Sequence, residues 1–356
     1  MVFPILRLPH LALEEVLLNF LPIDLFDFSL CSYRCRQSVK SIRHPYIGLN
    51  ISIMNDRVLF TLQKVYAYNI LFSQGAASWV LLKKARDTRA ISRGVNRKVD
   101  GVVFRAAKDN NTLTTRNKKN LLLKVYHYLQ DIFKNLPITS FYFGTDNDRE
   151  LLPSYFGIQK CQELNFYPKG NLIPNETIRD IIKNLEVSKS LHLCLLQNLD
   201  FRMDNARFKT DQIEIQNSQW ITRETFFTMD CTRITLKGSS LTPRDFVEFI
   251  ANWYRSENRR LVWLKIRMVN NREWLDLSSL PARPWDQKLR AQWFGLYNLN
   301  TWGPWKLDCS KGMDITRSDG LMATIIQKQA CFFFVVWHER FPNCDRLSVE
   351  RFASEF

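Results

Sequence analysis

Six short strand-like runs recur through the middle of the chain, and their spacing restricts the possible folds more than any other feature. They begin at Phe141 (FYF), Leu164 (LNF), Leu193 (LCL), Ile213 (IEI), Ile234 (ITL) and Leu264 (LKI), at intervals of 23, 29, 20, 21 and 30 residues. Helical segments lie between them. NETIRDIIKNL (175–185) sets Ile178, Ile181, Ile182 and Leu185 at helical spacing, and LTPRDFVEFIANWYRS (241–256) does so with Phe246, Phe249, Ile250 and Trp253. The latter also has a start signal, with Thr242 as N-cap, Pro243 at the first helical position and Asp245 three residues beyond the cap. A strand–helix unit of this length cannot bury its faces alone, so successive units must stack.

The expected fold class is therefore α/β, and the period predicts an irregular leucine-rich-repeat-like solenoid with parallel strands on its concave side. No unit matches the full consensus of such repeats, and a compact α/β domain of the same elements is the alternative. Upstream, 48–53 (GLNISI) and 57–63 (RVLFTLQ) read as strands, 79–85 (WVLLKKA) and 99–106 (VDGVVFRA) as two more, and 117–136 as a helix striped with Leu121, Leu122, Val125, Leu129 and Phe133. Downstream, five tryptophans (274, 285, 293, 302 and 305) precede a run at 312–338 that reads as strand, Asp319-Gly320 turn, strand, strand. This tail is expected to form a β cap over an open end of the stack, its tryptophans packing against their neighbours.

The first 46 residues differ in kind. Leu13, Val16, Leu17 and Phe20 form one stripe of a helix, which Pro22 ends by pushing Leu21 out of the helical region. A second helix, about 23–34, carries Leu25, Phe26, Phe28, Leu30, Cys31 and Tyr33, apolar on nearly every side. A third, RQSVKSIR (36–43), has only Val39 and Ile42, and His44-Pro45 closes the unit. Helices this short bury little surface by themselves. One side of the greasy helix must meet the rest of the chain or another protein.

The order Leu8-Pro9, Leu13, Val16-Leu17, Leu21-Pro22, Asp24-Leu25, Phe28, Cys31-Ser32 and Arg36 resembles the F-box, over about residues 4–46. The resemblance implies a three-helix module that docks a Skp-family adaptor and, through it, the cullin of an SCF (Skp–cullin–F-box) ubiquitin ligase. Leu8, Pro9, Leu13, Val16, Leu17, Leu21, Pro22, Asp24, Leu25, Phe28, Cys31 and Ser32 would then be the adaptor-binding residues. Cys35 stands where many F-boxes have Trp. A second run, WITRETFFTMDCTRITLKGSSLT (220–242), resembles the F-box-associated domain, type 2, over about 205–275. That domain is regarded as the substrate-recognition part, so the two resemblances together imply a substrate receptor of the ligase, with no substrate-binding residues to assign. The expected organisation is an F-box at 1–46, a linking α/β region at 47–136, the repeat region at 137–275 and the Trp-rich cap at 276–356.

The 356 residues carry a formal net charge of +15, and 83–119 holds twelve Lys or Arg against three Asp. Such a segment attracts nucleic acid or acidic surfaces. With no nucleic-acid module beside it, a solvated loop and surface strand is the preferred reading, and nucleic acid is not expected as a partner. Two alternative functions stay open: nucleic-acid binding through 83–119, and an F-box scaffold without ligase function. No apolar run reaches the length of a membrane span, and Glu14 and Glu15 interrupt the apolar N-terminus, so no membrane partner and a cytoplasmic or nuclear location are expected. Eight cysteines without a CxxC pair read as reduced thiols. The five histidines are scattered and no nucleophile–base pair, metal set or phosphate loop is present in the sequence; neither catalysis by this chain nor a cofactor is expected. His192 alternates with Leu191 and Leu193 and faces away from them, on a structural or a binding surface. The acidic 145–150 lacks the pattern of a calcium loop.

Overall fold

A computed structural model describes residues 4–54, 58–64, 77–81, 95–99, 102–107, 112–114, 118–145, 150–168, 173–269, 273–296, 305–345 and 347–349. The chain is mixed α/β and divides into two compact units, Met1–Val187 and Ser188–Phe356.

The first unit opens with α1 (His10–Leu18), α2 (Pro22–Cys31) and α3 (Tyr33–Ser41). Pro22 occupies the first turn of α2, and Leu21 before it is extended, as a residue preceding proline must be. Ser32 caps α3 by accepting the Cys35 N–H at 3.1 Å. Leu13, Leu17, Leu25, Phe26, Cys35, Val39 and Ile42 are buried. The face they form meets α4 (Lys118–Ile132), the helix expected over 117–136. Phe26 lies edge-on to Tyr128 at 5.6 Å, and the Ser29 and Tyr128 hydroxyls are 2.9 Å apart. Arg36 and Lys40 of α3 both reach Asp131, at 2.7 and 2.6 Å. The Arg36 guanidinium also lies over the Tyr128 ring at 4.6 Å.

The sheet of this unit contains β1 (Tyr46–Met54), β2 (Val58–Lys64), β3 (Ala77–Leu81), β4 (Val95–Val99), β5 (Val102–Ala107), β6 (Thr112–Thr114), β7 (Ile138–Gly144) and β8 (Lys160–Phe166). Their order is β8-β7-β1-β2-β3-β6-β5-β4. The expected cores at Phe141 and Leu164 pair directly across parallel strands, and Ile51 of β1 joins the same row. The single strand expected over 99–106 is instead two, β4 and β5, paired antiparallel with Val99 opposite Val102. A period-2 pattern alone does not distinguish such a hairpin from a continuous strand. Residues 82–85 of the strand expected over 79–85, residues 146–149 of the acidic run and most of the basic 83–119 segment lie outside the described residues. The unit closes with α5 (Asn175–Asn184), as its spacing predicts.

The second unit is built on a parallel ladder of β9 (Glu186–Cys194), β10 (Gln212–Gln216), β11 (Arg233–Ser239) and β12 (Trp263–Met268), neighbours in chain order. Leu191, Ile213, Ile234 and Leu264 stand side by side on its apolar face. Leu193, the core expected on β9, pairs one step along with Ile215. Both leucines point the same way because strand side chains alternate with period 2, so alternation alone does not choose between them. Besides the short α6 (Arg223–Phe227), the crossovers include α7 (Pro243–Arg255), which begins with the expected Thr242–Asp245 capping box. It lays Phe246 on Phe332 at 5.4 Å and Trp253 on Phe334 at 5.0 Å.

Beyond the ladder come β13 (Arg283–Pro284), β14 (Trp293–Leu296), β15 (Trp305–Asp308), β16 (Met313–Thr316), β17 (Met322–Lys328), β18 (Cys331–Trp337) and β19 (Ser348–Val349). The strand–turn–strand–strand reading of 312–338 describes β16 to β18, and β18 pairs antiparallel with β12, closing that side of the ladder. A small sheet of β14, β15 and β19 packs Phe294, Leu296 and Leu307 against Trp263, Phe333, Val335 and Trp337. At its root lies a buried ion pair. Arg290 Nη2 and Nε donate to Asp314 at 2.8 and 2.9 Å, and the Thr324 hydroxyl donates to the same carboxylate at 2.6 Å. Trp337 Nε1 in turn donates to Thr324 at 2.7 Å.

Candidate functional site

The first surface belongs to α1–α3. The residues expected to bind the adaptor divide into three groups. Leu13, Leu17, Pro22 and Leu25 are buried in their own unit; Leu8, Val16 and Phe28 are half-buried; Pro9, Leu21, Asp24, Cys31 and Ser32 are exposed. Phe28 is held edge-on to Phe20 at 6.0 Å, which locks the α1–α2 corner. Ser32 serves α3 as its cap. Cys35, in the place expected for Trp, points into the core. Two residues absent from the expected set stand out instead: Leu11, 74% exposed, and Tyr33, 76% exposed, beside Leu21 at 63%. Among the described residues of this unit, Ile47 is the other large apolar side chain with comparable exposure.

The second candidate is the polar face of the β9–β12 ladder, where His192, Glu214 and Thr235 are buried and Lys265 is half-buried. His192, Glu214, Thr235 and Lys265 occupy adjacent strands in register, each the middle residue of an apolar triplet: LHL, IEI, ITL, LKI. Alternation turns all four away from the apolar face. Glu214 is buried and pairs with Lys237 at 2.9 Å. Its other oxygen is 3.6 Å from His192 Nδ1, too long for a hydrogen bond. Burial holds the His192 imidazole below its ordinary value, with Glu214 opposing, so the ring is neutral at neutral pH and Lys237 is the cation that faces Glu214. Inspection of single motifs misses Glu214 and Lys237. Aligning the triplets by their middle residues finds the row.

Other polar chemistry is sparse. Burial pushes the thiols of Cys161 and Cys309 up to about 12 and that of Cys231 to about 11, so these cysteines are inert packing groups at neutral pH. Among the described residues no three of His, Cys, Asp and Glu are gathered as a metal-holding group. Among them, too, no helix is long and apolar enough to cross a membrane.

Comparison with known proteins places these features in context. The chain is 24% identical to uncharacterized protein F59B2.9 of Caenorhabditis elegans, over 98% of this chain and 82% of that protein. It is also 24% identical to uncharacterized protein F59B2.8 of the same organism, over 97% of this chain and 80% of that one. A shorter match, 26% identical, links 44% of this chain to 15% of the C. elegans E3 ubiquitin-protein ligase hecw-1. No solved structure matches. The family model described as F-box associated matches residues 190–266, which begins earlier than the 205 expected and runs from within β9 to within β12, taking in β10, β11 and the His192–Glu214–Lys237 group.

Proposed function

We propose that this chain is the substrate-recognition subunit of an SCF-type ubiquitin ligase, with α1–α3 acting as an F-box. In this reading α1–α3 dock a Skp-family adaptor, the adaptor brings the cullin, and the F-box-associated region captures the target protein. The repeated strand–helix units form a leucine-rich-repeat-like frame for that capture. The chain performs no chemistry itself. It raises the local concentration of the target's lysines near activated ubiquitin carried by other subunits.

The observation that carries the reading is the placement of Leu11, Leu21 and Tyr33 on the surface of the three opening helices. Exposed aromatic and leucine side chains on a small helical module are what a groove-forming partner buries. The F-box-associated match at 190–266 supports the same assignment from the other unit. Leu13, Leu17 and Leu25 shape the module from within and are not contact residues in this reading.

Co-precipitation with a Skp-family adaptor tests it. The paired variant Leu11→Glu with Leu21→Glu should abolish adaptor binding while the melting temperature stays near that of the wild type. Adaptor binding equal to wild type would sink the assignment.

A further inference from the structure

Trp274 departs from the expectation that the tail's tryptophans pack against their neighbours. Trp285, Trp293 and Trp305 are half-buried, and Trp302 lies outside the described residues. Trp274 is 77% exposed, more than Leu11 or Tyr33. Its indole makes no ring contact and no hydrogen bond among the described residues. The backbone beneath it is nonetheless fixed. Gln327, near the end of β17, donates from Nε2 to the Glu273 carbonyl at 2.8 Å and accepts the Leu275 N–H on Oε1 at 2.9 Å. One side-chain amide therefore grips the chain on both sides of Trp274. Exposure then alternates, with Trp274 and Asp276 exposed and Leu275 and Leu277 half-buried. Same-side residues of an extended run are about 6.5–7 Å apart, so the indole and the Asp276 carboxylate face solvent as neighbours. The Ser278 N–H donates to Asp276 at 3.0 Å and holds its carboxyl below the ordinary carboxylate range, so it is ionised at neutral pH. No Lys, Arg or His among the described residues pairs with it.

We propose that Trp274 and Asp276 together receive an arginine side chain of the target protein. The proposal rests on the reading of the chain as a substrate receptor, and it adds a contact outside the 190–266 match. An open indole face attracts a cation through the negative charge of its π system. A carboxylate beside the ring adds to that attraction and repels phosphate, which turns the corner away from nucleic acid and anionic lipid. Charge complementarity thus selects a cationic side chain, and arginine fits best. Its planar guanidinium stacks on a ring and forks onto a carboxylate, whereas the Lys ammonium is a strongly hydrated point charge. The apolar stem of the arginine also covers part of the exposed indole. Because Gln327 sets the backbone beforehand, little ordering is lost on contact.

The test uses the full chain and a fluorescein-labelled Gly/Ser peptide interspersed with arginine, beside its citrulline and lysine counterparts, read by fluorescence anisotropy. Citrulline keeps the planar shape of arginine and loses the charge, so the arginine peptide should bind about tenfold more tightly than the citrulline one, with lysine between. Trp274→Ala should weaken binding of the arginine peptide about threefold or more, and Asp276→Asn by a similar factor. Both side chains are exposed, so neither change should move the melting temperature. Gln327→Ala keeps both contact residues but frees their backbone, and should weaken binding as well. No binding of the arginine peptide, equal binding of the arginine and citrulline peptides, or undiminished binding by the Trp274→Ala/Asp276→Asn variant overturns the proposal. So does a loss of binding to labelled oligodeoxythymidine or to phosphatidylcholine vesicles, on Trp274→Ala, that exceeds the loss for the arginine peptide. The Leu11→Glu/Leu21→Glu variant should still bind the arginine peptide, and the Trp274→Ala/Asp276→Asn variant should still bind the adaptor. Failure of the ligase reading and failure of this one therefore appear in different assays.

Discussion

The opening helices and the parallel ladder meet the same requirement, burial of one apolar face, and leave different chemistry on the other. In α2, apolar residues run around the helix, so packing on α4 still leaves Leu21 exposed at its start and Cys31 at its end. In β9 to β12, alternation sends leucine and isoleucine to one face and His192, Glu214, Thr235 and Lys265 to the other. A helix apolar on all sides yields a surplus of hydrophobic surface. A strand of alternating pattern yields a second, polar face, here with His192, Glu214 and Thr235 buried. The first suits a contact that salt leaves largely alone, and the second holds the Glu214–Lys237 pair where salt screens it little.

The largest effects should come from inside the second unit. Arg290 is fully buried against Asp314, so Arg290→Ala strands a buried carboxylate and should cost about 3–5 kcal/mol. Replacing both partners with apolar residues of similar volume should recover most of the loss, as urea denaturation would measure. Recovery that fails would mean the Thr324 and Trp337 hydrogen bonds, not the charge pair, hold the corner. In the first unit, Leu17→Ala or Leu25→Ala opens a cavity under the helices and should cost about 2–5 kcal/mol. Leu11→Ala and Leu21→Ala, on the exposed side of the same helices, should stay within about 0.5 kcal/mol. If the inner and outer leucines cost the same, the division of that module into a core face and a contact face is wrong.

Legibility in the sequence differed between the regions for a physical reason. The capping box of α7, the strand cores at Ile213, Ile234 and Leu264, and the strands after Gly312 depend on local rules of spacing and turn chemistry, and are legible directly. The orientation of α2 depends on contacts such as Ser29 with Tyr128, which are 99 residues apart in sequence. No period within α2 says which of Leu21 and Leu25 faces α4. The small sheet of β14 and β15 was hidden because each strand has four residues, too short for alternation to stand out. Arg290 and Asp314 likewise look like ordinary surface residues until the fold brings them together. Glu214 and Lys237 were open to discovery in principle, because the triplets carry the register. The ion pair became visible only once neighbouring strands were laid side by side.

Acid should act on both regions through one histidine each. His44 is held between Phe133 and Tyr46, with its Nε2 2.8 Å from the Val39 carbonyl and Lys134 and Glu14 nearby. His192 lies beside Glu214 and Lys237. Burial lowers both pKa values below 6.5 in the folded chain. The unfolded chain therefore takes up the proton first. Stability is fully present above pH 6.5 and falls as the pH drops through 6.5 toward each folded value, with a slope of at most about 1.4 kcal/mol per pH unit for each group. Hydrogen exchange at pH 7 and pH 5.5 should show protection falling in both units. His44→Gln should flatten the response of the first unit alone, and a response flattened equally in both would mean the units do not open separately.

The smallest predicted effects distinguish the two regions at their helix starts. Ser32 caps α3 by accepting a hydrogen bond from the Cys35 N–H at 3.1 Å, with no acidic residue in the first turn to reciprocate. Thr242 accepts from the Asp245 N–H at 3.3 Å, and the Asp245 carboxylate returns the bond to the Thr242 N–H at 2.8 Å. Removing a cap hydroxyl leaves an unsatisfied donor and costs about 1 kcal/mol. Thr242→Ala should cost about that much and leave adaptor binding untouched, because α7 belongs to the ladder's unit. Ser32→Ala should cost a similar amount and also weaken adaptor binding, because fraying α3 loosens the turn that presents Tyr33. Ser32→Asp restores the cap and adds a charge at a helix N-terminus, where a carboxylate is favourable. It should therefore recover stability. If it also recovers adaptor binding, Ser32 acts only by positioning α3; if binding stays weak while stability returns, the hydroxyl itself touches the partner.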